Sequence, residues 1–277
     1  MGKLNLTLFT IVVSSLFLPL VYAANVDVDN AGATAYAGGW SASAPAFSLD
    51  GTVAGGAGFG GWGLTADPNA DLRIESVGSL GSGSTLLDTA GKSFRLSGGW
   101  YGPDGGTTWN QAYSHATRWL DPAGLDAGQA FTFEIAVRYR NGAKGVNLLN
   151  ASGQNIFNFN VGADDYVVNN AAAGNGSIGN AWSDNTVFQF RFDQISSAGG
   201  NWTITRSGGV SDSDSGTYSG AIRQFTFYAG GTDNNNPDAL FVNSLAIVPE
   251  PSVSSLFLGG LLLLGGIRFS RKKHLGA

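Results

Sequence analysis

The sequence contains no cysteine and only two histidines among its 277 residues. Without cysteine there can be no disulfide framework, no thiolate zinc site and no cysteine nucleophile. His115 is the single histidine between the two apolar ends of the chain, which excludes a metal site built from several histidines there. A Ser-His-Asp triad has little support, because no G-x-S-x-G nucleophile elbow accompanies this histidine.

Charge is also scarce, since Lys, Arg, Asp and Glu make up 13% of the chain. Residues 24–248 contain 10 Lys and Arg against 19 Asp and Glu, which gives this segment a formal charge of −9. Nucleic-acid binding depends on a cationic surface that attracts phosphates. The composition therefore predicts no nucleic-acid partner.

The N-terminus has the three parts of a secretory signal peptide. Lys3 supplies a positive charge, an apolar run follows from 4 to 21, and small residues surround a cleavage point after Ala23. The order predicts a helical signal peptide over 1–23, with a retained membrane anchor as the alternative. The remaining exported domain, 24–247, is long enough to bury a core without disulfides.

Helical periodicity is rare in this domain, and period-two alternation is common. The segment "FTFEIAVRYR" places five apolar side chains on one face: Phe131, Phe133, Ile135, Val137 and Tyr139. Further strands are predicted at 71–77, 92–97, 115–120, 144–150, 155–161, 165–170, 186–193, 201–207, 222–229 and 239–247. Because Gly- and Asn-rich turns separate them, the pattern predicts an all-β fold, an antiparallel β-sandwich of the jelly-roll type.

Two regions of the domain differ in character. The Gly-rich segment 31–65 is interpreted as edge strands and loosely ordered loops. Residues 130–247, through "GQAFTFEIAVRY", "NWTITRS" and "DALFVNSLAI", resemble the strand succession of concanavalin A-like jelly rolls. That resemblance rests on the order of strands and implies the same kind of sandwich.

The C-terminal tail is apolar and then basic. Residues 253–269 lack charge until Arg268, and at 1.5 Å per residue they span about 25 Å, the short end of what a transmembrane helix needs. The basic cluster at 268–273 is expected on the cytoplasmic side, which leaves the exported domain outside. A buried C-terminal core helix is the alternative.

Together with "VPEPS" at 248–252, this tail resembles the PEP-CTERM sorting domain of exported proteins in Gram-negative bacteria that make exopolysaccharide. The resemblance implies that Pro249, Glu250 and Pro251 are recognised by an exosortase, a membrane-embedded cysteine transpeptidase. The enzyme would remove the helix and pass the domain to the cell surface or matrix. The prolines favour an extended segment that a transpeptidase can reach.

Catalysis by paired carboxylates has one candidate, Glu134, on the polar face of the 131–140 strand. The E-x-D-x-x-E arrangement of concanavalin A-like endoglucanases is absent. Glu134 is therefore interpreted as a solvated residue beside Arg138, and a secreted glycan-processing enzyme remains the alternative.

A calcium site is a further hypothesis, because calcium prefers oxygen ligands. The loop "TDNNNPD" supplies Asp233, Asn235 and Asp238, and "SDSDS" adds Asp212 and Asp214. Such clusters also form turns without metal. No other cofactor is predicted.

Aromatic residues are concentrated between 100 and 119. Trp100, Tyr101 and Trp109 are the candidates for glycan contact, because sugar rings stack on exposed aromatic rings. Packing within loops is the alternative for all three. Trp119, within a predicted strand, is assigned to the core.

These features predict an exported, non-enzymatic protein of the cell surface or extracellular matrix. Its expected partners are an exosortase in transit, the membrane through the C-terminal helix before processing, and extracellular polysaccharide. A permanently anchored structural protein without ligand is a second alternative.

Overall fold

The computed structural model describes residues 27–40, 58–80, 87–101, 110–120, 124–162, 165–170, 174–232 and 238–249. The predicted signal peptide and transmembrane helix, with Glu250 and Pro251, lie outside these ranges. Within the ranges, no helix has the length and apolar character needed to cross a membrane.

The described chain forms two short 3-10 helices, Thr34–Tyr36 and Val77–Leu80, and sixteen strands. The strands are β1 Asp27–Asp29, β2 Phe59–Ala66, β3 Asp71–Glu75, β4 Ser93–Ser97, β5 Gly99–Tyr101, β6 Asn110–Leu120, β7 Gln129–Val137, β8 Ala143–Leu149, β9 Asn155–Gly162, β10 Asp165–Asn170, β11 Gly174–Ser177, β12 Thr186–Ser196, β13 Gly199–Ser207, β14 Asp212–Ser219, β15 Gln224–Gly230 and β16 Leu240–Pro249.

The strands form two antiparallel sheets. Sheet I has the order β14-β13-β12-β7-β16-β4-β3, and β1 pairs with β16. Sheet II has the order β11-β10-β9-β8-β15-β6-β2, and β5 pairs with β6. Phenylalanines from the two sheets meet between them, as in the Phe133–Phe227 and Phe159–Phe188 pairs, whose ring centroids lie 5.2 and 4.8 Å apart. The predicted all-β antiparallel sandwich is confirmed for the described residues.

Period-two alternation identified the core correctly in most strands. In β7, the apolar face from Phe131 to Val137 is buried, whereas Tyr139 lies beyond the strand and is 37% exposed. In β12, Phe188, Phe190 and Phe192 are buried as the pattern predicts. Burying these side chains in alternation removes a row of apolar surface from water and drives the two sheets together.

The Gly-rich segment is more structured than expected where it is described. Strand β2 lies at an edge of sheet II, as predicted. Trp40 and Trp62 are 2% and 3% exposed, with ring centroids 5.4 Å apart inside the core. Because the segment has low hydrophobicity overall, its sequence did not indicate that these two tryptophans are buried.

Strand β14 was not predicted. Its sequence "DSDSGTYS" offers one large buried side chain, Tyr218, and reads as a turn. It forms instead the edge of sheet I, because backbone hydrogen bonds to β13 need no hydrophobic pattern. Asp212 and Asp214 therefore lie on a strand, and the prediction of a loop there is wrong.

Candidate functional site

Strand β6 gives sheet II a polar and aromatic outer face, the face turned away from sheet I. Its buried residues alternate from Ala112 to Leu120, so the intervening side chains point outward. Those outward side chains are Gln111, Tyr113, His115, Thr117 and Trp119. The alternation follows from strand geometry, in which successive side chains point to opposite faces.

We call Trp100, Tyr113, His115 and Trp119 the aromatic row. Trp100 is paired with Gln111 across β5 and β6, which places both side chains on the outer face. The Tyr113 and His115 rings stack with centroids 5.7 Å apart and planes inclined by 19°. Trp100 and Trp119, at the two ends, are 39% and 51% exposed. The row therefore has an exposed indole at each end and the half-buried Tyr113 and His115 rings between them.

Glycine at position 230 lets this row lie close to the sheet. A Cβ atom there would come within 2.2 Å of the Tyr113 ring, so that any larger residue would displace it. The hydroxyl of Tyr113 donates a hydrogen bond of 2.5 Å to Gln111 Oε1. Burial lowers the pKa of His115, and the nearby Asp67 carboxylate partly opposes this shift.

Beside the aromatic row lies an amide cluster, which comprises Asn147, Asn158, Asn160, Asn169 and Tyr228. Asn158 Nδ2 donates to Asn147 Oδ1 and to the Tyr228 hydroxyl, both at 2.9 Å. Asn158 Oδ1 accepts from Asn169 Nδ2 at 2.9 Å, and the Tyr228 hydroxyl donates to Asn160 Oδ1 at 2.9 Å. Burial raises the pKa of Tyr228 to about 12, so its hydroxyl keeps its proton.

Strand register joins the row to the cluster on one face. Thr117 of β6 pairs with Thr226 of β15, which pairs with Asn147 of β8. Asn147 pairs with Asn158 of β9, and Asn158 pairs with Asn169 of β10. Five neighbouring strands thus contribute to one surface of amides, hydroxyls and aromatic rings. The surface can stack and hydrogen-bond, and its nearest described carboxylate is Asp67, which accepts a 2.9 Å hydrogen bond from the backbone N–H of Tyr113.

Glu134 lies on the opposite side of the sandwich, on the outer face of sheet I. It accepts a hydrogen bond of 2.8 Å from Gln189 Nε2, in a shallow depression of about 410 Å³. Asp193, on the neighbouring strand β12, is paired with Ala130, four residues along β7 from Glu134. At about 3.3 Å per residue the separation is about 13 Å, longer than the spacing of glycosidase carboxylates. Arg138, the expected neighbour of Glu134, pairs with Asp184 at 3.7 Å.

The predicted glycan contacts are partly described. Trp100 is exposed at the end of the aromatic row, Tyr101 is the last residue of β5, and Trp109 lies outside the described residues. The assignment of Trp119 to the core is wrong, since its side chain is 51% exposed. Alternation from the buried Leu120 could have shown that Trp119 faces outward.

The hypothetical calcium loop is described only at Asp238, because Asp233 and Asn235 lie outside the described residues. Asp238 is 7% exposed, and its backbone carbonyl accepts a hydrogen bond of 2.6 Å from the buried Lys144 ammonium. The Asp238 backbone carbonyl is therefore already bonded to the Lys144 side chain. Among the described residues, no group of three or more His, Asp and Glu side chains is arranged to hold a metal ion.

Fold and site together define a two-sheet β-sandwich with one aromatic and amide-rich sheet face. No protein-family model and no curated protein matches the chain.

Similar solved structures include a carbohydrate esterase from a Shiga toxin-encoding bacteriophage, 15% identical, with a TM-score of 0.41 over 69% of this chain and 91% of the other. A sialidase is 10% identical, with a TM-score of 0.41 over 69% of this chain and 17% of the other. A structure from work on endo-acting O-glycanases of the human gut microbiota is 9% identical, with a TM-score of 0.43 over 82% of this chain and 100% of the other.

Proposed function

We propose that this protein binds polysaccharide without cleaving it, through the outer face of sheet II. The observation that supports the proposal is the aromatic row beside the amide cluster on one continuous face. The C–H faces of a pyranose ring stack on exposed indole and phenol rings, and its hydroxyls exchange hydrogen bonds with amides and phenols. An extended row matches a polymer better than a single small molecule.

The non-enzymatic part of the proposal follows from the placement of acids. Glu134 is bonded to Gln189 and lies on the other sheet from the aromatic row. Most glycosidases use two carboxylates, one on either side of the scissile bond. His115 belongs to the aromatic row, where its ring stacks on Tyr113 and no described serine hydroxyl bonds to it.

The binding surface is tested by replacing its two exposed indoles. Retention of the full-length protein is measured by affinity electrophoresis in gels that contain soluble polysaccharides. We expect Trp100→Ala with Trp119→Ala to weaken binding about fivefold per ring, a change equivalent to about 1 kcal/mol each. Ile195→Ala, which removes a 61% exposed side chain elsewhere, is the matched control and should bind normally.

Equal retention of the double variant and the wild type would contradict this surface. The same polysaccharides are assayed for newly released reducing ends, with Glu134→Gln as the comparison. Release of reducing ends by the wild type but not by Glu134→Gln would show an enzyme and overturn the non-enzymatic proposal.

We also propose that the protein is exported and sorted by an exosortase, from the inner membrane to the cell surface or extracellular matrix of a Gram-negative bacterium. The support is the sequence order of "VPEPS", apolar span and basic cluster. Pro249, the first residue of the triplet, ends β16 and pairs with Gln129. The triplet therefore starts where the sandwich ends. The mass of the surface-exposed protein tests this, because processing removes 253–269.

A further inference from the structure

A second aromatic surface lies on the connections at one end of the sandwich. Tyr139 follows β7 and Trp182 precedes β12, and their side chains are 37% and 49% exposed. Their rings are parallel within 1°, with centroids 6.1 Å apart. The two exposed rings therefore form one flat aromatic surface.

Several contacts hold the two rings in place. Trp182 Nε1 donates a hydrogen bond of 3.0 Å to the backbone carbonyl of Arg138. The Arg138 guanidinium carbon lies 5.0 Å from the centroid of the Tyr139 ring, and Asp184 lies 3.7 Å from that guanidinium. A platform that is ordered before binding costs less conformational entropy when a ligand arrives.

Polar groups surround the rings in a depression of about 420 Å³, which is lined by Tyr139, Arg140, Asn141, Trp182 and Asp238. Arg140 is fixed by a 2.7 Å hydrogen bond from its Nη1 to the backbone carbonyl of Asn180. The volume falls in the range of small-ligand sites. Flat apolar rings with polar groups at the rim suit a sugar ring, which has apolar faces and a polar edge.

We propose that this depression is a separate carbohydrate subsite that takes a neutral hexopyranose unit. Arg140 can only donate hydrogen bonds, whereas the Asn141 amide can both donate and accept them. Sugar hydroxyls are donors and acceptors together, so they match this mixed set. A uronate carboxylate needs donors alone and would face Asp238 on a domain whose formal charge is −9.

This subsite goes beyond the proposed polysaccharide surface, because it lies on different elements and uses different rings. Trp182 and Tyr139 belong to connections beside β7 and β12 of sheet I, whereas the aromatic row lies on β5 and β6. Either surface can bind without the other, so each can be tested by its own substitutions.

The experiment is isothermal titration calorimetry of the full-length protein with neutral dextran and galactomannan and with acidic polygalacturonate. We expect Trp182→Ala to weaken binding of a neutral polymer at least fivefold, and Trp182→Phe to weaken it less because a ring remains. The same factor should appear in a Trp100→Ala, Trp119→Ala background. Asn141→Ala, a change at an exposed rim residue, should also weaken binding while leaving the unfolding midpoint unchanged.

Undiminished binding in both Trp182→Ala and Asn141→Ala would overturn the subsite. Absence of binding to both neutral polymers, or tighter binding of polygalacturonate, would overturn the ligand class. If the Trp100→Ala, Trp119→Ala double variant binds normally while Trp182→Ala binds more weakly, the proposal for the sheet II surface is contradicted and the proposal for the subsite is supported. Ile195→Ala serves again as the control for loss of an exposed side chain.

Discussion

At the scale of the residue, a buried ion pair lies on the inward face of strand β6. Arg118 is 2% exposed in β6 and forms an ion pair with Asp29, which is 1% exposed. Tyr36 donates a 2.7 Å hydrogen bond to Asp29, and Trp62 Nε1 donates to the Tyr36 hydroxyl at 2.9 Å. This network satisfies the guanidinium, which lets a charged side chain occupy a buried position of β6.

A second buried cation, Lys144, makes stability depend on pH. Burial lowers its pKa from 10.5 to about 7, against the opposing influence of the nearby Asp238 carboxylate. Between these values the folded protein binds fewer protons at this site than the unfolded chain does, so stability rises with pH. The free energy of unfolding should increase by up to about 1.4 kcal/mol per pH unit between about pH 7.5 and 9.5.

Urea unfolding at several pH values measures this slope in the wild type and in Lys144→Met, which keeps most of the side-chain volume. We expect the variant to lose the slope over that interval. Lys92→Met is the matched control, since Lys92 is exposed, and it should keep the wild-type slope. Identical slopes in the wild type and Lys144→Met would show that Lys144 does not titrate as expected.

At the scale of the element, strand β16 contains an irregularity that alternation alone does not reveal. Its register with β7 shifts between Asn243 and Ala246, and Ser244 has a φ of 56°. Asn243 is fully buried there, and its amide donates to the backbone carbonyls of Leu87 and Lys92 at 2.9 and 3.0 Å. At the bulge, the Asn243 side chain therefore hydrogen-bonds β16 to the segment before β4.

Substitution at the bulge tests this conformation. A β-branched residue is strained at positive φ, so Ser244→Val should lower the free energy of unfolding by about 1–2 kcal/mol. Ser244→Gly should be neutral or slightly stabilising, since glycine adopts this conformation freely. Ser215→Val, at an exposed position in the edge strand β14, is the control and should change little. A higher urea midpoint for Ser244→Val than for Ser244→Gly would contradict the positive φ at this position.

Strands in which every second side chain is apolar could be predicted from the sequence. Strands that are held mainly by backbone hydrogen bonds could not. Strands β7, β9 and β12 were predictable because every second side chain is large and apolar. Strands β11 and β14 were not, because their sequences are Gly, Asn, Ser and Asp rich and their stability comes from hydrogen bonds to a neighbouring strand.

At the scale of the whole molecule, the two sheets share one core. The largest cluster of buried side chains includes Phe131, Phe133, Phe190 and Phe192 of sheet I and Phe225 of sheet II. The tail leaves this core from the end of β16, which lies between β7 and β4 in the interior of sheet I. Removal of the tail after Pro249 would therefore leave the pairs of β16 with its neighbours in place.

The sorting proposal predicts the mass of the surface form. Intact mass spectrometry should place its C-terminus between 249 and 252, without the leucines at 261–264. Exchange of Pro249 and Pro251 for alanine should keep the tail and leave the protein in the membrane fraction, whereas the exposed-site variant Lys92→Met should be processed normally. A wild-type surface form that still carries 261–264 would refute processing.

The class of fold and the faces of most strands could be predicted from local sequence, because alternation is a local property of an extended chain and needs no neighbouring strand. Local sequence also drew attention to the aromatic residues from 100 to 119. Which of these rings lie together depends on the tertiary structure. Trp182 meets the backbone of Arg138 across 44 residues of sequence, and Asp29, from a distant strand, pairs with the buried Arg118. Contacts between distant segments depend on how the sheets are assembled, so local sequence patterns do not predict them.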